Sequence, residues 1–556
     1  MSSAVPENIL DVPSYSNDSN IDLIIDCIEQ KKQMLVFNAS KSTAQSTAKK
    51  VAAYYKKSKK IISKDLEDAS NKILNALQNP TSQCKELAEC IKYGVAFHHS
   101  GLVAKQRSII EDLFKNRKLG AISSTPTLAA GLNLPATMSF IKDYKRYSKR
   151  GFQDIPVLEY QQMAGRAGRP GIEKEGLAIV NVKDENEKER VMKKFIHGDT
   201  ENIYSKLAVE PTLKMYLLSL ISMDSINTKD EIFNFFDESL YGFQFKNKSE
   251  LHLQIRRILH DLQQYGFILE KDNYFLATPM GKKVSELYLN PNSAHYYLEI
   301  LPKITQMFKH KGEVISKDEE IVLMHAILNV MEMKPYFYVK KRDEEEFYML
   351  AQDLEPMFLT QYNPYEQDIS DFLSGLKTSK ILQKWANEFP EDLLLDQYAI
   401  TPGELNYKLT VLDWVLYCIE ELLNLKKELY TKSQIKKLRL RMKYGVRLEL
   451  LPLLTLKGVG RKRARQLYEK GVTSPQKLKD LPKATLVQIL GEKRTNTLLN
   501  SINEGSQKEL ETTMNLDVPK EIRNREVSSQ EVEVLVKNEE EYKEEVKKSE
   551  NLLDYL

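Results

Sequence analysis

The sequence predicts a multidomain chain, one α/β domain on a parallel sheet followed by all-helical domains. Three observations predict it. From about residue 21 to 195, short apolar runs ending in polar loops alternate with helical stretches, the pattern of parallel strands joined by crossover helices. Beyond residue 200 the apolar spacing becomes helical almost throughout. Charge is also segregated. Residues 436–470 hold twelve Lys or Arg against Glu449 and Glu469, and residues 506–556 hold fourteen acidic against eight basic residues. A net charge of +3 therefore conceals a basic block and an acidic tail.

In chain order, "QMLVFNAS" (33–40) reads as a buried strand and "TAQSTAKKVAAYYKK" as the helix after it. "YGVAFHHSGL" (93–102) is a strand running into a loop, and "LGAISSTPTLAAGLNLPA" (119–136) a strand, a polar loop and a short helix. "FIKDYKRYSKRGFQDIPVLEY" (140–160) reads as a hairpin about "SKRG", and "GLAIVNV" (176–182) as a further strand. In such a layer ligands meet the loops at the carboxyl ends of strands. "HHSG", "SSTPT" and the stretch around Arg166 fall there.

"EPTLKMYLLSLIS", "TKDEIFNFFDESLYGF" and "LHLQIRRILHDLQQYGFI", then a short hairpin and a return helix, suggest a winged helix. The expected domains are a lead-in (1–20), the α/β domain (21–195), the winged helix (196–291), a helical bundle (292–445), a small unit around "LKGVGRKRARQLYEKG" (446–505) and a disordered charged tail (506–556).

Hydrophobic content of 42% and charged content of 29% suit a globular chain. The four cysteines, Cys27, Cys84, Cys90 and Cys418, form no CxxC and no cluster with zinc spacing, which argues against a metal site or disulfide framework. No signal peptide and no run of about 18 apolar residues is found, so a cytoplasmic, nucleoid-associated protein is expected.

"EYQQMAGRAGRPG" (159–171) carries the chemistry. Arg166 and Arg169 stand three apart among small residues, after Gln162. A guanidinium fork matches phosphate oxygens bidentately. With "FHHSGL" and "SSTPTLAAGLNLPA" in order before it, this stretch resembles the motifs of the second RecA-like domain of superfamily 2 helicases, in the Ski-like branch. From about residue 20 to 505 the chain resembles the archaeal Hjm DNA helicases and their HELQ-type relatives.

The resemblance implies that Gln162, Arg166 and Arg169 face ATP, the two arginines as arginine fingers. It implies that Thr125, Gly131, Asn133 and Gly165 couple the ATP cleft to DNA, and that His98 and His99 lie beside the DNA. For either histidine alone, a hydrogen-bonded loop role is equally open. The same family needs a GxxxxGK[ST] loop and a D-E-x-H box. "PMGKKV" has Lys283 where Ser or Thr should stand, and "KDEEI" and "RDEEEF" lack the following His. The chain is therefore expected to be the C-terminal portion of a helicase. ATP and Mg2+ would be held mainly by a first RecA domain absent from these residues, which a separate chain could carry.

Four further regions are singled out. In the hairpin, Tyr144, Tyr147 and Phe152 are candidates to wedge a duplex end, with Lys145, Arg146, Lys149 and Arg150 on phosphates; a solvated β-arm is the alternative. "ITPGELNYKLTVLDWVLYCIEELL" (400–423) resembles the family's ratchet helix, with Trp414 either stacking a base or simply core. Relatives often carry arginine where Tyr407 stands, next to Lys408. Gly458 and Gly460 precede Arg461, Lys462, Arg463 and Arg465 in a helix-hairpin-helix pattern that suits a DNA phosphate. The terminal "SENLLDYL" spaces Leu552, Tyr555 and Leu556 as in sliding-clamp peptides, with Ser549 where glutamine is expected.

The expected function is a 3′→5′ DNA helicase portion acting on single-stranded and forked or branched DNA in repair and replication restart. A non-catalytic DNA-binding remnant or adaptor is the alternative. An RNA helicase relative is a third reading, which the helix-hairpin-helix pattern disfavours.

Overall fold

Five parallel strands organise the first part of the chain. The computed structural model describes residues 11–503 except 60–61, 78, 130–133, 149–150, 169–170, 172–174, 246, 313–314, 364–366 and 457. The chain divides into two units, residues 1–203 with 389–410, and residues 204–388 with 411–556.

In the first unit the strands are β1 (Met34–Phe37), β2 (Val95–His98), β3 (Ala121–Ser124) and β4 (Met138–Ile141), then a hairpin of β5 (Lys145–Ser148) and β6 (Gly151–Asp154), then β7 (Leu177–Val180). The sheet order is β2-β3-β1-β4-β7, every neighbouring pair parallel. β1 to β4 are buried along their whole length, as expected of a sheet covered on both faces. The helix Lys41–Lys57 starts at a capping box between Ser40 and Thr43 and turns Ala44, Ala48, Val51 and Tyr55 inward. β4 is absent from the sequence reading. Its short apolar run is followed at once by the aromatic-basic alternation of the hairpin, which dominates any window drawn across both. Of the short helix expected after "SSTPT", the described residues show a 3-10 turn, Pro126–Leu128, and residues 130–133 lie outside them.

The second unit opens with helices Glu210–Ser222, Lys229–Glu238, Leu240–Gln244 and Lys248–Gln264. An antiparallel pair follows, β8 (Ile268–Lys271) and β9 (Tyr274–Ala277), then the helix Pro279–Glu286. Asp272 and Asn273 take left-handed φ of 50° and 70° in the two-residue turn, which suits the strand twist. The buried Lys214 reaches Asp261 at 2.7 Å and Asn292 at 3.0 Å, tying this segment to the long helix Pro291–Lys311.

Helices Lys317–Leu328, Ile369–Ala386 and Leu429–Tyr444 follow, the last ending at Gly445, where a Cβ would lie 2.5 Å from the Trp385 ring. A separate small core of Val446, Leu450, Leu453, Ala464, Leu467, Leu486 and Leu498 holds the final helices, Arg461–Glu469, Lys483–Leu490 and Glu492–Asn503. All four cysteines are buried and free. Among the described residues no helix is long and apolar enough to cross a membrane, and no His/Cys/Asp/Glu cluster could hold a metal. The "SENLLDYL" stretch lies outside the described residues.

Candidate functional site

The register aligns His98 with Ser124 and Ser124 with Phe37, so β2, β3 and β1 end at one level. Just beyond it the motif loops are stitched together. The Thr125 amide donates to the His98 carbonyl at 3.3 Å, and the Thr125 hydroxyl meets that of Thr127 at 2.9 Å. The 3-10 turn delivers the Ala129 carbonyl, which accepts from Arg166 Nε at 3.0 Å and also from Arg166 Nη2.

A second seam runs alongside. The Ala136 amide donates to the Arg166 carbonyl at 2.9 Å, and the Gly168 amide to the Ala136 carbonyl at 2.7 Å. Ser139 on β4 fixes the helix Val157–Ala164 through the Met163 carbonyl at 2.6 Å. Gln162 and Gly165 are exposed, and Arg166 is half-buried. Gly176, at the entry to β7, backs the arginine loop so closely that a Cβ there would lie 2.3 Å from the Gly168 amide nitrogen. Gly131, Asn133 and Arg169 lie outside the described residues.

Both histidines are interior. His98 Nε2 lies 3.0 Å from Glu111, and its Nδ1 has no hydrogen-bond partner among the described residues. Burial lowers its pKa, against the pull of Glu111. His99 stacks on Phe97 and accepts the Gly101 amide at Nδ1, 3.1 Å away. With Nδ1 accepting, Nε2 carries the proton; it lies 3.0 Å from Gln45 Nε2, and the two pair when the Gln45 amide is turned to offer its oxygen. Burial, with Lys41 adding to it, lowers the His99 pKa to about 4. The pair is a neutral anchor for the loop, and neither ring reaches the surface.

The hairpin pairs Arg146 with Gln153 and Tyr147 with Phe152. Tyr144, expected as a wedge, is instead its foundation. It is 4% exposed, its hydroxyl donates to Glu187, and its ring packs edge-on against Phe195. Lys145 pairs with Glu187 at 2.8 Å and Arg146 with Glu159 at 3.1 Å. Phe152 is 76% exposed, and Lys149 and Arg150 lie outside the described residues.

The helix Pro402–Leu425 carries Tyr407, 62% exposed, beside Lys408, 4% exposed. Burial pulls the Lys408 ammonium down to about 8, so it is an inward group rather than a surface cation. Trp414 is half-buried, and its indole N–H donates to the Leu287 carbonyl at 3.1 Å.

At the terminal hairpin Gly458 takes φ +81°, which favours glycine. Gly460 caps the helix Arg461–Glu469. Arg463 donates to the Gly458 carbonyl at 3.0 Å, and Arg461 lies over the Trp385 ring at 4.5 Å. Lys462 occupies the first turn of that helix. Arg465 is committed elsewhere, forking onto Glu388 at 2.8 and 2.9 Å and reaching Glu449 at 2.8 Å. Sequence reading missed Arg494, whose side chain lies 3.2 Å from a Cβ built on Gly458. The signal was there: Gly491, with φ +84°, opens a second glycine-then-basic turn, "GEKR".

This sheet, with three motif loops bonded at its carboxyl edge and helical domains after it, is of the helicase class. Residues 56–171 match the helicase conserved C-terminal domain, residues 321–445 the archaeal helicase domain 4, and residues 450–504 the SAM-like helix-hairpin-helix tandem. The ATP-dependent DNA helicase Hel308 of Methanococcus vannielii is 32% identical over 537 residues, 89% of this chain and 69% of that protein. The Hel308 proteins of Methanocella arvoryzae (35% identical, 86% of this chain, 64% of the relative) and Pyrococcus horikoshii (32%, 84% and 64%) are also similar. The chain belongs to the Hel308 family, and it spans about two thirds of the length of these relatives.

Proposed function

We propose that the chain is the C-terminal, DNA-engaging portion of an ATP-dependent 3′→5′ DNA helicase of the Hjm/HELQ type, acting on forked or branched DNA. Its parts would be a second RecA-like domain (21–195), a winged helix (196–291), a ratchet bundle (292–445) and a helix-hairpin-helix domain (446–505). The observation that carries this reading is the pair of hydrogen bonds that Arg166 Nε and Nη2 donate to the Ala129 carbonyl. It joins the loop meant for ATP to the loop meant for the DNA backbone, at the edge of a parallel sheet where ligands bind. ATP and Mg2+ would be held mainly by a first RecA-like domain, since this sequence carries no P-loop or D-E-x-H box.

The test is ATP hydrolysis by the chain assembled with that first domain, with and without single-stranded DNA, beside unwinding of forks carrying a 3′ or a 5′ tail. DNA-stimulated turnover and unwinding from the 3′ tail are expected. DNA binding with no stimulated turnover would leave the non-catalytic DNA-binding reading.

The terminal domain supplies a sharper contrast. Arg463→Ala should leave stability within about 0.5 kcal/mol and weaken DNA binding, lowering the salt slope by about 1. Arg465→Ala should do the reverse. It strips two carboxylates of a forked partner and costs about 2 kcal/mol, with the salt slope unchanged. Thermal melts and DNA titrations at several salt concentrations separate the two. Equal loss of DNA affinity in both variants would show that Arg465 is a DNA contact after all.

A further inference from the structure

Residues 185–196 stand against the base of the hairpin in the first unit. They run as an α-helix from Glu185 to Val191 and end in a π turn, Met192–Ile196. Glu187, Arg190 and Lys194 recur at spacings of three and four, which puts them on one face. All three reach the hairpin, and together they reach both of its arms. On the incoming arm Glu187 accepts from the Tyr144 hydroxyl and from Lys145 Nζ, the latter at 2.8 Å. On the outgoing arm Lys194 donates to Asp154 at 2.9 Å, and Arg190 lies 3.5 Å from the same carboxylate. Arg190 also donates to the Tyr144 hydroxyl at 3.2 Å. Lys145 and Asp154 face each other across the ladder, so the clasp closes on the lowest rung of the hairpin.

The plainest account is a set of surface ion pairs, which add little to stability. Two facts go past it. The Glu187 and Asp154 side chains are only 15% and 16% exposed, so the charges meet mostly out of solvent. The same segment also packs on the motif helix Val157–Ala164. The Phe195 ring lies 5.0 Å from that of Tyr160 and 5.8 Å from that of Tyr144, and Arg146 closes the third side on Glu159. Hairpin, brace and the helix that leads into Arg166 are therefore one packed body. A two-stranded hairpin is marginally stable by itself. Its outermost pair, Ser148 with Gly151, stands three residues beyond the clasp, about 10 Å out, so the base sets its angle.

We propose that Glu187 is a positioning residue for duplex separation: it fixes the hairpin to the motif helix, so that the two move together when the ATP cleft closes. This role rests on the helicase reading above. Glu187 also caps its own helix, accepting the Lys183 amide at 2.9 Å, while Asp184 accepts the Glu187 amide at 2.8 Å. Asp184 therefore supplies the control, because it caps the brace and among the described residues holds no part of the hairpin.

The test uses the chain assembled with a first RecA-like domain. ATP turnover on single-stranded DNA and forks unwound per ATP are compared in the parent, Glu187→Ala, Glu187→Gln and Asp184→Ala. Glu187→Ala should keep turnover within about twofold and lose unwinding per ATP by about tenfold. Glu187→Gln keeps an acceptor oxygen for Tyr144 and should recover part of the loss, and Asp184→Ala should keep the parent ratio. A nitroxide on Gln153→Cys, an exposed hairpin position in a chain whose own cysteines are buried, should gain mobility in Glu187→Ala and not in Asp184→Ala. A parental ratio in Glu187→Ala, an equal loss in Asp184→Ala, or an unchanged nitroxide overturns the proposal while the helicase reading stands. A parent that hydrolyses ATP and unwinds nothing overturns the helicase reading and the proposal together.

Discussion

Arg169→Ala, in protein assembled with a first RecA-like domain, is expected to lower ATP turnover by about 10^3-fold or more while single-stranded DNA affinity stays unchanged. The size follows from the arginine-finger role that the family resemblance implies for Arg169. An arginine that meets charge developing on the γ-phosphate contributes about 10^3 to 10^5 in turnover, some 4 kcal/mol or more of barrier. Arg166 should behave differently, because its Nε and Nη2 are already bonded to the Ala129 carbonyl. Arg166→Ala removes a loop staple and, on the proposed role, a phosphate ligand with it. It should lower both turnover and the stimulation of turnover by DNA, whereas Arg169→Ala lowers turnover alone. Gly176→Ala is the structural companion. Its Cβ would meet backbone at 2.3 Å, which displaces the arginine loop without touching an arginine, so a similar turnover loss is expected. Rates of ATP hydrolysis with and without DNA, beside DNA binding isotherms, check all three. Normal turnover in Arg169→Ala would remove the arginine-finger role.

The sequence made the carboxyl edge of the sheet legible because its motifs are local. "HHSG", "SSTPT" and "GRAG" each sit within a few residues, and the alternation of strand and helix puts them on one edge. It could not tell an exposed ligand from a buried anchor of the same residue type. Tyr144 reads as a wedge until Glu187 and Phe195, more than forty residues away, are seen to hold it. Arg465 reads as a phosphate ligand until Glu388 is found beside it, 77 residues away. His98 and Lys408 follow the same rule, since burial by distant elements decides what their charge can do. Arg494 was missed for the opposite reason: its turn repeats the first hairpin weakly, and only the close approach to Gly458 joins the two.

The largest stability loss is expected at a pair that no motif marks. Lys377, on the helix Ile369–Ala386, is buried, with its ammonium 2.6 Å from Asp343 and 3.0 Å from the Tyr338 carbonyl. Asp343→Ala removes the carboxylate that lies 2.6 Å from this buried ammonium, at a cost of about 3–5 kcal/mol. Replacing both partners, as Asp343→Leu with Lys377→Met, should recover most of the loss, because no charge then remains to be desolvated. The pair also sets an acid limit. Burial alone would raise the Asp343 pKa, but the Lys377 hydrogen bond and charge, with Arg342 nearby, outweigh it and hold the carboxyl below its ordinary value. A carboxyl lowered on folding contributes stability above its unfolded pKa, near 3.9, and loses it as pH falls through the folded value. Parent protein should therefore lose stability below about pH 4, and the double variant should lose less over the same window. Both tryptophans, Trp385 and Trp414, lie in the second unit, so their fluorescence in urea reports on the unit that holds the pair. A midpoint that Asp343→Ala leaves unmoved, or an acid limb as steep in the double variant as in the parent, would show that the pair carries no net weight.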